Sequence, residues 1–369
     1  MDTAVPRNIV VSAVNIRRGG TLTVLRDCLG YLSTRPDLQV TALVHRHDLC
    51  EFPGIRYIEI PWSARGWLRR LWCEYVTMKR ISRQLPETHL WLSLHDTTPR
   101  VQARRQAVYC QTSFPFMKPR WQDVRMDVKI PLFTLLTRFA YQINVRRNRF
   151  LIVQQSWLRK GLSAMLHYPE SQIIVAPPAF RLPVIEDRSA REPVPIFLYP
   201  AGPDCHKNME CLCQAARLLE ERLGAGRFQV VLTISGNENR YAGWIRESFG
   251  DVRSLQLGGY LSREALMELY GRAACLVFPS RVETWGLPIS EFKSCGKPML
   301  LAHLPYAHES AAGASEAAFF PYDCPDVLAG YMESLLNGDK AFLSPVPAAS
   351  TAEPVAGDWE SLFELLLNA

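Results

Sequence analysis

The sequence predicts an α/β protein of two domains, each built on a parallel sheet that is covered by helices. The length of 369 residues exceeds what one hydrophobic core usually supports. The composition, 48% hydrophobic and 21% charged, is typical of a chain that folds throughout. Short apolar runs alternate with helical patterns in both halves of the sequence, and this order is typical of parallel sheets.

The first domain is predicted to begin with a buried strand at residues 8–14. A turn with Gly19 and Gly20 follows, and Thr21 is then expected to cap a helix whose apolar residues recur at helical spacing. Further strands are predicted at residues 40–45, 57–60, 90–94, 107–109 and 150–154.

A proline-rich, charged stretch at residues 182–195 is the predicted linker. After it we expect strands at 196–199, 228–235, 255–257 and 275–279, and helices at 209–223 and 263–270. The predicted organisation is an N-terminal domain at 1–181, a C-terminal domain at 196–345, and a tail at 346–369. The last helix, at 359–367, is expected to pack back on the N-terminal domain.

Charge and cysteine usage narrow the class of protein. We expect neither export nor membrane spanning, because residues 1–6 carry no basic-then-apolar pattern and no apolar run approaches the roughly 18 residues that a spanning helix needs. Ten scattered cysteines suggest reduced thiols in the cytoplasm. The net charge of +6 is modest, with basic residues concentrated at 65–83 and 138–160, which favours phosphate or lipid headgroups over a nucleic acid.

The candidate ligands of a zinc site are Cys205, His206, Cys211 and Cys213. Cys211 and Cys213 fall on a predicted helix, where an offset of two residues directs side chains to nearly opposite faces. No metal is therefore expected.

The most informative segment runs from a strand at 275–280 through a loop at 281–287 into a helix at 288–295. Pro288 suits a first helical position and Gly296 a left-handed stop. Ligands of open parallel sheets bind at the carboxyl ends of strands, where this loop lies. Glu283 and Glu291 could therefore accept hydrogen bonds from two parts of one extended ligand. The alternative is a solvated loop residue and a glutamate that merely favours the helix.

Residues 279–291, PSRVETWGLPISE, resemble the signature of the family-4 retaining glycosyltransferases. That family has the GT-B fold, in which two facing Rossmann-like domains enclose a cleft. Residues 197–208 resemble the first loop of its C-terminal domain, 258–262 resemble its base-binding turn, and 150–157 resemble the strand and turn that close its N-terminal domain.

The resemblance implies a role for each matching residue. It places Glu291 on the nucleotide ribose, Glu283 beside the transferred sugar, and Lys207 on the diphosphate. The other residues that it implies in donor binding are Gly19, Gly20, Asn208, Tyr260, Leu261, Thr284, Trp285, Gly286 and Leu287.

Two departures from the family pattern affect the predicted site. The family usually has an arginine shortly before the lysine, and this sequence has none there, so His206 and Arg281 are the candidate replacements. The family also often has a histidine after a strand of the N-terminal domain, where this sequence has Gln111. His95, which follows another predicted strand, is a second candidate for that wall of the cleft.

A basic segment at residues 65–83 carries apolar residues at helical spacing. It could lie on an anionic membrane and bring the enzyme to a lipid-linked acceptor. Alternatively, it packs on the first sheet with a solvated basic edge. Its apolar residues are Trp67, Leu68, Leu71, Trp72, Tyr75 and Met78.

The predicted function is retaining transfer of a mannose- or rhamnose-type hexose or deoxyhexose from a nucleotide-diphosphate sugar, with GDP favoured. The expected acceptor is a saccharide, expected to be lipid-linked, at the inner face of the cytoplasmic membrane. This pathway prediction rests on residues 305–309 and 197–200, which resemble O-antigen and lipopolysaccharide transferases. A sugar-nucleotide epimerase and a non-catalytic scaffold of the same fold are the alternatives.

Overall fold

The computed structural model describes residues 6–127, 129–178 and 185–368. Residues 1–5, where no export signal is predicted, and residues 182–184, at the start of the predicted linker, lie outside the described residues. The chain divides into two compact units. The first comprises Met1–Pro115, Leu135–Ala179 and Thr351–Ala369, and the second comprises Phe116–Thr134 and Phe180–Ser350.

The first unit is built on a parallel sheet of seven described strands in the order β3-β2-β1-β4-β5-β6-β7. Apolar and β-branched residues fill these strands, and the inner ones are buried on both faces, as expected of a sheet between helical layers. The strands are β1 (Arg7–Ala13), β2 (Leu38–Val44), β3 (Ile55–Glu59), β4 (Thr88–Ser93), β5 (Arg105–Tyr109), β6 (Phe150–Val153) and β7 (Ile173–Val175).

The second unit contains a parallel sheet of six described strands in the order β10-β9-β8-β11-β12-β13. Strand order reverses beside β8 and β11, and ligands of doubly wound sheets bind at such a switch point. The strands are β8 (Ile196–Tyr199), β9 (Gln229–Leu232), β10 (Leu255–Leu257), β11 (Cys275–Phe278), β12 (Met299–Ala302) and β13 (Ala317–Phe320).

Helices connect the strands in both units. They are α1 (Gly19–Ser33), α2 (Trp67–Trp72), α3 (Met78–Gln84), α4 (Trp121–Met126), α5 (Lys129–Gln142), α6 (Ser156–Leu166), α7 (Met209–Leu223), α8 (Arg240–Phe249), α9 (Arg263–Arg272), α10 (Leu287–Lys293), α11 (Pro305–Ser310), α12 (Pro325–Leu336) and α13 (Trp359–Asn368). None of the helices formed by the described residues combines the length and apolar character that crossing a bilayer requires.

The C-terminal helix α13 belongs to the first unit. Phe363 is fully buried, and its ring stacks on Tyr31 of α1 with 5.6 Å between ring centroids. Leu362 and Leu366 lie in the same core as strands β1, β2 and β4. The helix therefore supplies part of the hydrophobic core of a sheet that begins more than 300 residues earlier in the sequence.

Three local predictions need correction. Residues 116–134 were placed in the N-terminal domain, but they belong to the second unit, to which Arg120 and Asp123 are bonded. Helix α1 begins at Gly19, and the Thr21 hydroxyl donates to the Arg18 carbonyl, so Thr21 is not the cap. The predicted helix at 65–83 is two α-helical pieces, α2 and α3, joined by a π-helical turn at Cys73–Thr77.

Candidate functional site

The structure brings Lys207 and Glu283 together at one edge of the second sheet. Lys207 lies in the loop after β8 and Glu283 in the loop after β11, and these two strands are neighbours. The Lys207 Nζ atom is 2.6 Å from Glu283 Oε1, and both side chains are largely buried. Lys207 was predicted on the diphosphate and Glu283 beside the transferred sugar, and the two therefore form a single charged pair.

A buried tyrosine ties the two loops to each other. The Tyr199 hydroxyl donates to the Lys207 carbonyl at 2.8 Å and lies 2.7 Å from Ser280 Oγ. Burial, and then the negative charge of Glu283, raises the pKa of Tyr199 well above its usual value, so the hydroxyl keeps its proton. Tyr306 donates to the Ser280 carbonyl at 2.6 Å and steadies the second loop from its other side.

The turn before α10 requires glycine. Gly286 has φ +87°, and a Cβ atom there would lie 3.2 Å from Ile289 Cδ1. The indole of Trp285 donates to Ser290 Oγ at 2.9 Å, while Ser310 Oγ donates to the Trp285 carbonyl. These contacts fix the backbone of the predicted donor-binding residues Thr284 to Leu287.

Glu291 lies on the inner face of α10, where the residue is only 6% exposed. Its Oε2 accepts the hydroxyl of Tyr270 at 3.0 Å, and its Oε1 accepts Arg263 Nη1 at 3.1 Å. Each carboxylate oxygen has two acceptor positions, so each can still accept a ligand hydroxyl. The carboxylate is therefore held in place by residues of α9.

The predicted start of this helix needs correction. The helix begins at Leu287 rather than Pro288, so Glu291 is its fifth residue and lies in its second turn. With only seven residues, α10 is a short helix, so its N-terminus is a weak feature for an anion. Lys207 is the stronger feature for a phosphate.

Asn208 has a structural role in this site. It adopts a left-handed conformation, φ 56°, at the start of α7. Its buried amide donates to the carbonyls of Pro279 at 3.0 Å and Tyr322 at 2.7 Å. The side chain therefore joins the loop that follows β11 to the one that follows β13.

Neither candidate replacement for the missing arginine supplies a free cation. Arg281 Nη2 lies 2.5 Å from Asp123 Oδ1, and both side chains are almost completely buried. Burial, reinforced by the positive charges of Lys207 and Arg281, holds the pKa of His206 well below its usual value, so its imidazole is neutral. Lys207 is therefore the cation that the structure offers at this position.

The predicted base-binding turn lies after β10. The Gly258 N–H donates to the Leu232 carbonyl at 2.8 Å and the Gly259 N–H to the Ile234 carbonyl at 3.0 Å. This fixes the turn while the Tyr260 side chain stays 93% exposed. Leu261 is half-buried next to it. An exposed aromatic ring beside the sheet edge is available for a planar base.

The remaining candidates belong to the first unit. His95 is fully buried, which contradicts the expectation that it lines a cleft. Its Nε2 is 3.1 Å from Ser12 Oγ and its Nδ1 is 3.2 Å from Thr97 Oγ1. Thr97 donates its proton to Glu74 at 2.7 Å. In the neutral tautomer with the proton on Nδ1, that nitrogen donates to Thr97 Oγ1 and Nε2 accepts from Ser12 Oγ, so all of these groups are satisfied. Burial lowers the pKa of His95 to about 4, and His95 is a core residue.

Gln111 is half-buried after β5. Its side-chain amide donates to the Leu94 carbonyl at 2.7 Å, and its backbone N–H donates to Asp96 Oδ1 at 2.5 Å. Asp96 has φ 71°, and burial raises its pKa.

Gly19 and Gly20 are exposed at the start of α1, where Gly19 has φ +71°.

Sequence reasoning missed Tyr199, Tyr270, Tyr306 and Asp123. All four act through contacts with residues that are distant in sequence. Tyr199 was visible as a polar residue ending a buried strand, but nothing local marks its two partners.

Residues 184–345, which contain both loops and α10, match the family model described as glycosyl transferases group 1. This part of the chain is a group 1 glycosyltransferase domain. The chain around it adopts the GT-B fold, since it resembles WaaG, described as a glycosyltransferase involved in lipopolysaccharide biosynthesis, with a TM-score of 0.63. That likeness covers 89% of this chain and 90% of WaaG at 14% identity.

Two curated relatives are from Escherichia coli. The serotype-specific mannosyltransferase WbdA is 32% identical over 165 residues, which is 44% of this chain and 20% of WbdA. The O-antigen chain mannosyltransferase B is 26% identical over 239 residues, covering 60% of each chain. This chain therefore spans a fifth and three fifths of the lengths of these relatives, respectively.

Proposed function

We propose that this chain transfers a mannose- or rhamnose-type sugar from a nucleotide-diphosphate donor to a saccharide acceptor, with retention of anomeric configuration. The observation that carries the proposal is the Lys207–Glu283 pair at the switch point of the second sheet, with Glu291 held on the adjoining helix. Relatives named as a serotype-specific mannosyltransferase and an O-antigen chain mannosyltransferase support the choice of sugar and acceptor.

The chemistry follows from the charges of the site. As the glycosidic C1–O bond breaks, the electron pair passes to the diphosphate, whose growing negative charge Lys207 stabilises. The acceptor oxygen attacks C1 from the same face, and its proton passes to the departing diphosphate. Glu283 holds Lys207 in position and lies where a sugar hydroxyl could bond to its free lone pairs, while Glu291 binds the ribose hydroxyls. Lys207 supplies the positive charge that balances the negative charge of the departing diphosphate, so we propose transfer without a metal ion.

The test of this function is a transfer assay with GDP-, UDP- and dTDP-sugars and mannose-containing acceptors, followed by NMR of the product. We expect transfer from one donor class, unchanged by EDTA, with the anomeric configuration of the donor kept. An inverted product or a requirement for a metal would contradict the mechanism. Epimer exchange of the donor without an acceptor would favour the epimerase, and nucleotide binding without any turnover would favour the non-catalytic scaffold.

We further propose that the lipid-linked acceptor is met at an anionic membrane on the cytoplasmic side, and α5 supports this more directly than the segment that the sequence interpretation selected. Its exposed apolar residues recur at one-face spacing and are 48–59% exposed: Leu132, Leu135, Leu136 and Phe139. Ile143, directly after the helix, is 45% exposed. Residues 128–169 contain no acidic residue, and Arg138, Arg146 and Arg147 are exposed. An apolar face with positive charge around it fits an anionic lipid surface.

The segment with α2 and α3 exposes apolar residues over only part of its length. Trp67, Leu68 and Trp72 are 51%, 83% and 57% exposed, whereas Met78 is fully buried. Helix α2 therefore exposes apolar residues that a membrane could cover, whereas α3 packs inward.

Vesicle co-sedimentation tests the membrane proposal. Leu135→Glu with Phe139→Glu should reduce binding to vesicles containing phosphatidylglycerol by tenfold or more, because each change removes apolar contact and adds negative charge. Val327→Glu, at an exposed apolar position on α12, is the matched control and should bind like the wild type. Equal binding by the double variant would contradict the assignment, and a dimer that the double variant abolishes would assign the face to a second copy.

A further inference from the structure

Helix α4 and the residues before it pack on the two loops that carry the charged pair. Asp123 of α4 is 1% exposed and lies 2.5 Å from the guanidinium of Arg281, which is itself 4% exposed. Arg281 precedes Glu283 by two residues in the same loop. A buried ion pair of this kind is costly to form, because both charges lose their hydration, unless both partners also make further hydrogen bonds.

Both partners of the ion pair make further hydrogen bonds. Asp123 Oδ2 accepts the Arg120 backbone N–H at 2.6 Å and thereby caps α4. The Arg281 backbone N–H donates to the His206 carbonyl at 2.8 Å, next to Lys207, and its guanidinium lies 3.4 Å from the Cys205 carbonyl. Through Arg281, Asp123 is connected to both loops of the site.

A second contact leads from the same segment to the loop after β8. Arg120 Nη2 donates to Asn208 Oδ1 at 3.2 Å and also pairs with Glu210 in the first turn of α7. Asn208 directly follows Lys207 and donates to the Pro279 carbonyl of the other loop. The segment thus contacts the loops at two points, the guanidinium of Arg281 and the side chain of Asn208.

We propose that residues 118–127 act as a clamp of the donor site, in which Asp123 and Arg120 are positioning residues for Lys207 and Glu283. This inference rests on the proposed function and adds a specific role for Arg281. In this proposal Arg281 is not a second cation for the diphosphate. It links Asp123 to the two loops, so the position of Asp123 determines theirs. None of the clamp residues needs to touch the substrate.

The clamp predicts a separation of catalysis from binding. A displacement of Lys207 or Glu283 by a fraction of an ångström should strongly slow transfer, because the rate depends on exact placement of the charged groups. Nucleotide binding through Glu291 should persist, because α9 holds that carboxylate independently of the clamp. A residue that only stabilises the fold would lower activity in proportion to the folded fraction.

The test compares Asp123→Asn and the double variant Asp123→Leu with Arg281→Met against Arg125→Ala, an exposed control on the same helix. The double variant replaces the buried ion pair by apolar side chains of similar size, a change that folded proteins often tolerate. We expect kcat to fall at least about tenfold in both clamp variants, with donor KM and nucleotide Kd within about threefold of the wild type. The control should match the wild type.

A folded double variant with wild-type kcat would overturn the clamp while leaving the proposed function intact. Loss of kcat that only follows the folded fraction, measured by circular dichroism on the same samples, would also overturn it. Absence of transfer by the wild type with every donor would instead refute the proposed function itself.

Discussion

His95 and His206 are both neutral in this structure, because burial lowers the pKa of each imidazole. For His95 the surrounding charges are Glu74, which favours the charged form, and Arg70, which opposes it. Arg70 Nε bonds to Glu74 Oε1 at 2.8 Å, so the carboxylate is largely neutralised by its own partner. Desolvation therefore outweighs the attraction of Glu74, and a residue type that suggested catalysis is part of the core.

The neutral state of His95 can be measured by NMR of the histidine side chains. We expect its imidazole to remain neutral down to about pH 5 and to titrate near 4, whereas exposed His47, whose pKa Glu59 raises, titrates above 6.5. Between pH 6.5 and 4 the unfolded chain binds a proton that folded His95 does not. Stability should thus fall as pH decreases, by up to about 1.4 kcal/mol per pH unit from this group. Titration of His95 near its usual value would contradict its placement.

At the scale of elements, the turn from β11 into α10 determines the shape of the site. Gly286 is required there both by its positive φ and by the side chain of Ile289. The sequence interpretation identified this turn because glycine followed by proline marks the start of a helix. It could not identify Tyr270 and Arg263 as partners of Glu291, because they lie 21 and 28 residues away in the chain.

Gly286→Ala tests this turn. A left-handed alanine should cost roughly 1–2 kcal/mol of unfolding free energy, and the contact with Ile289 should displace the loop and weaken nucleotide binding. Gly338→Ala is the matched control, because Gly338 has φ +78° and no neighbour near an added Cβ. Calorimetry should show similar destabilisation in both variants but weaker nucleotide binding only for Gly286→Ala. Equal nucleotide affinity would contradict the role of the turn.

At the scale of the whole molecule, local patterns predicted most of the architecture. The first strand was predicted from the glycine turn that follows it, and α7 was predicted with its observed bounds, Met209–Leu223, a helix that Gly224 follows. The short strands β7, β12 and β13 were not predicted, since runs of three or four apolar residues carry no clear period.

The assignment of residues 116–134 to the second unit was also beyond local patterns. It depends on Asp123 and Arg281, which are 158 residues apart in the sequence. Likewise, the exposed apolar face of α5 has the same spacing as a helix that packs on a sheet. Only the exposure of its leucines in the folded structure distinguishes the two.

The central claim is that the second unit binds the nucleotide through Glu291 and acts on the sugar beside Glu283 and Lys207. Calorimetric nucleotide binding and transfer rates of Glu291→Ala and Glu283→Ala test it most directly. We expect Glu291→Ala to weaken nucleotide binding by at least about tenfold, because hydrogen bonds to a charged group are worth about 1.5–3 kcal/mol. We expect Glu283→Ala to bind nucleotide within about threefold of the wild type while transfer falls by at least about a hundredfold. Unchanged transfer in both variants, or loss of nucleotide binding only in Glu283→Ala, would contradict the account.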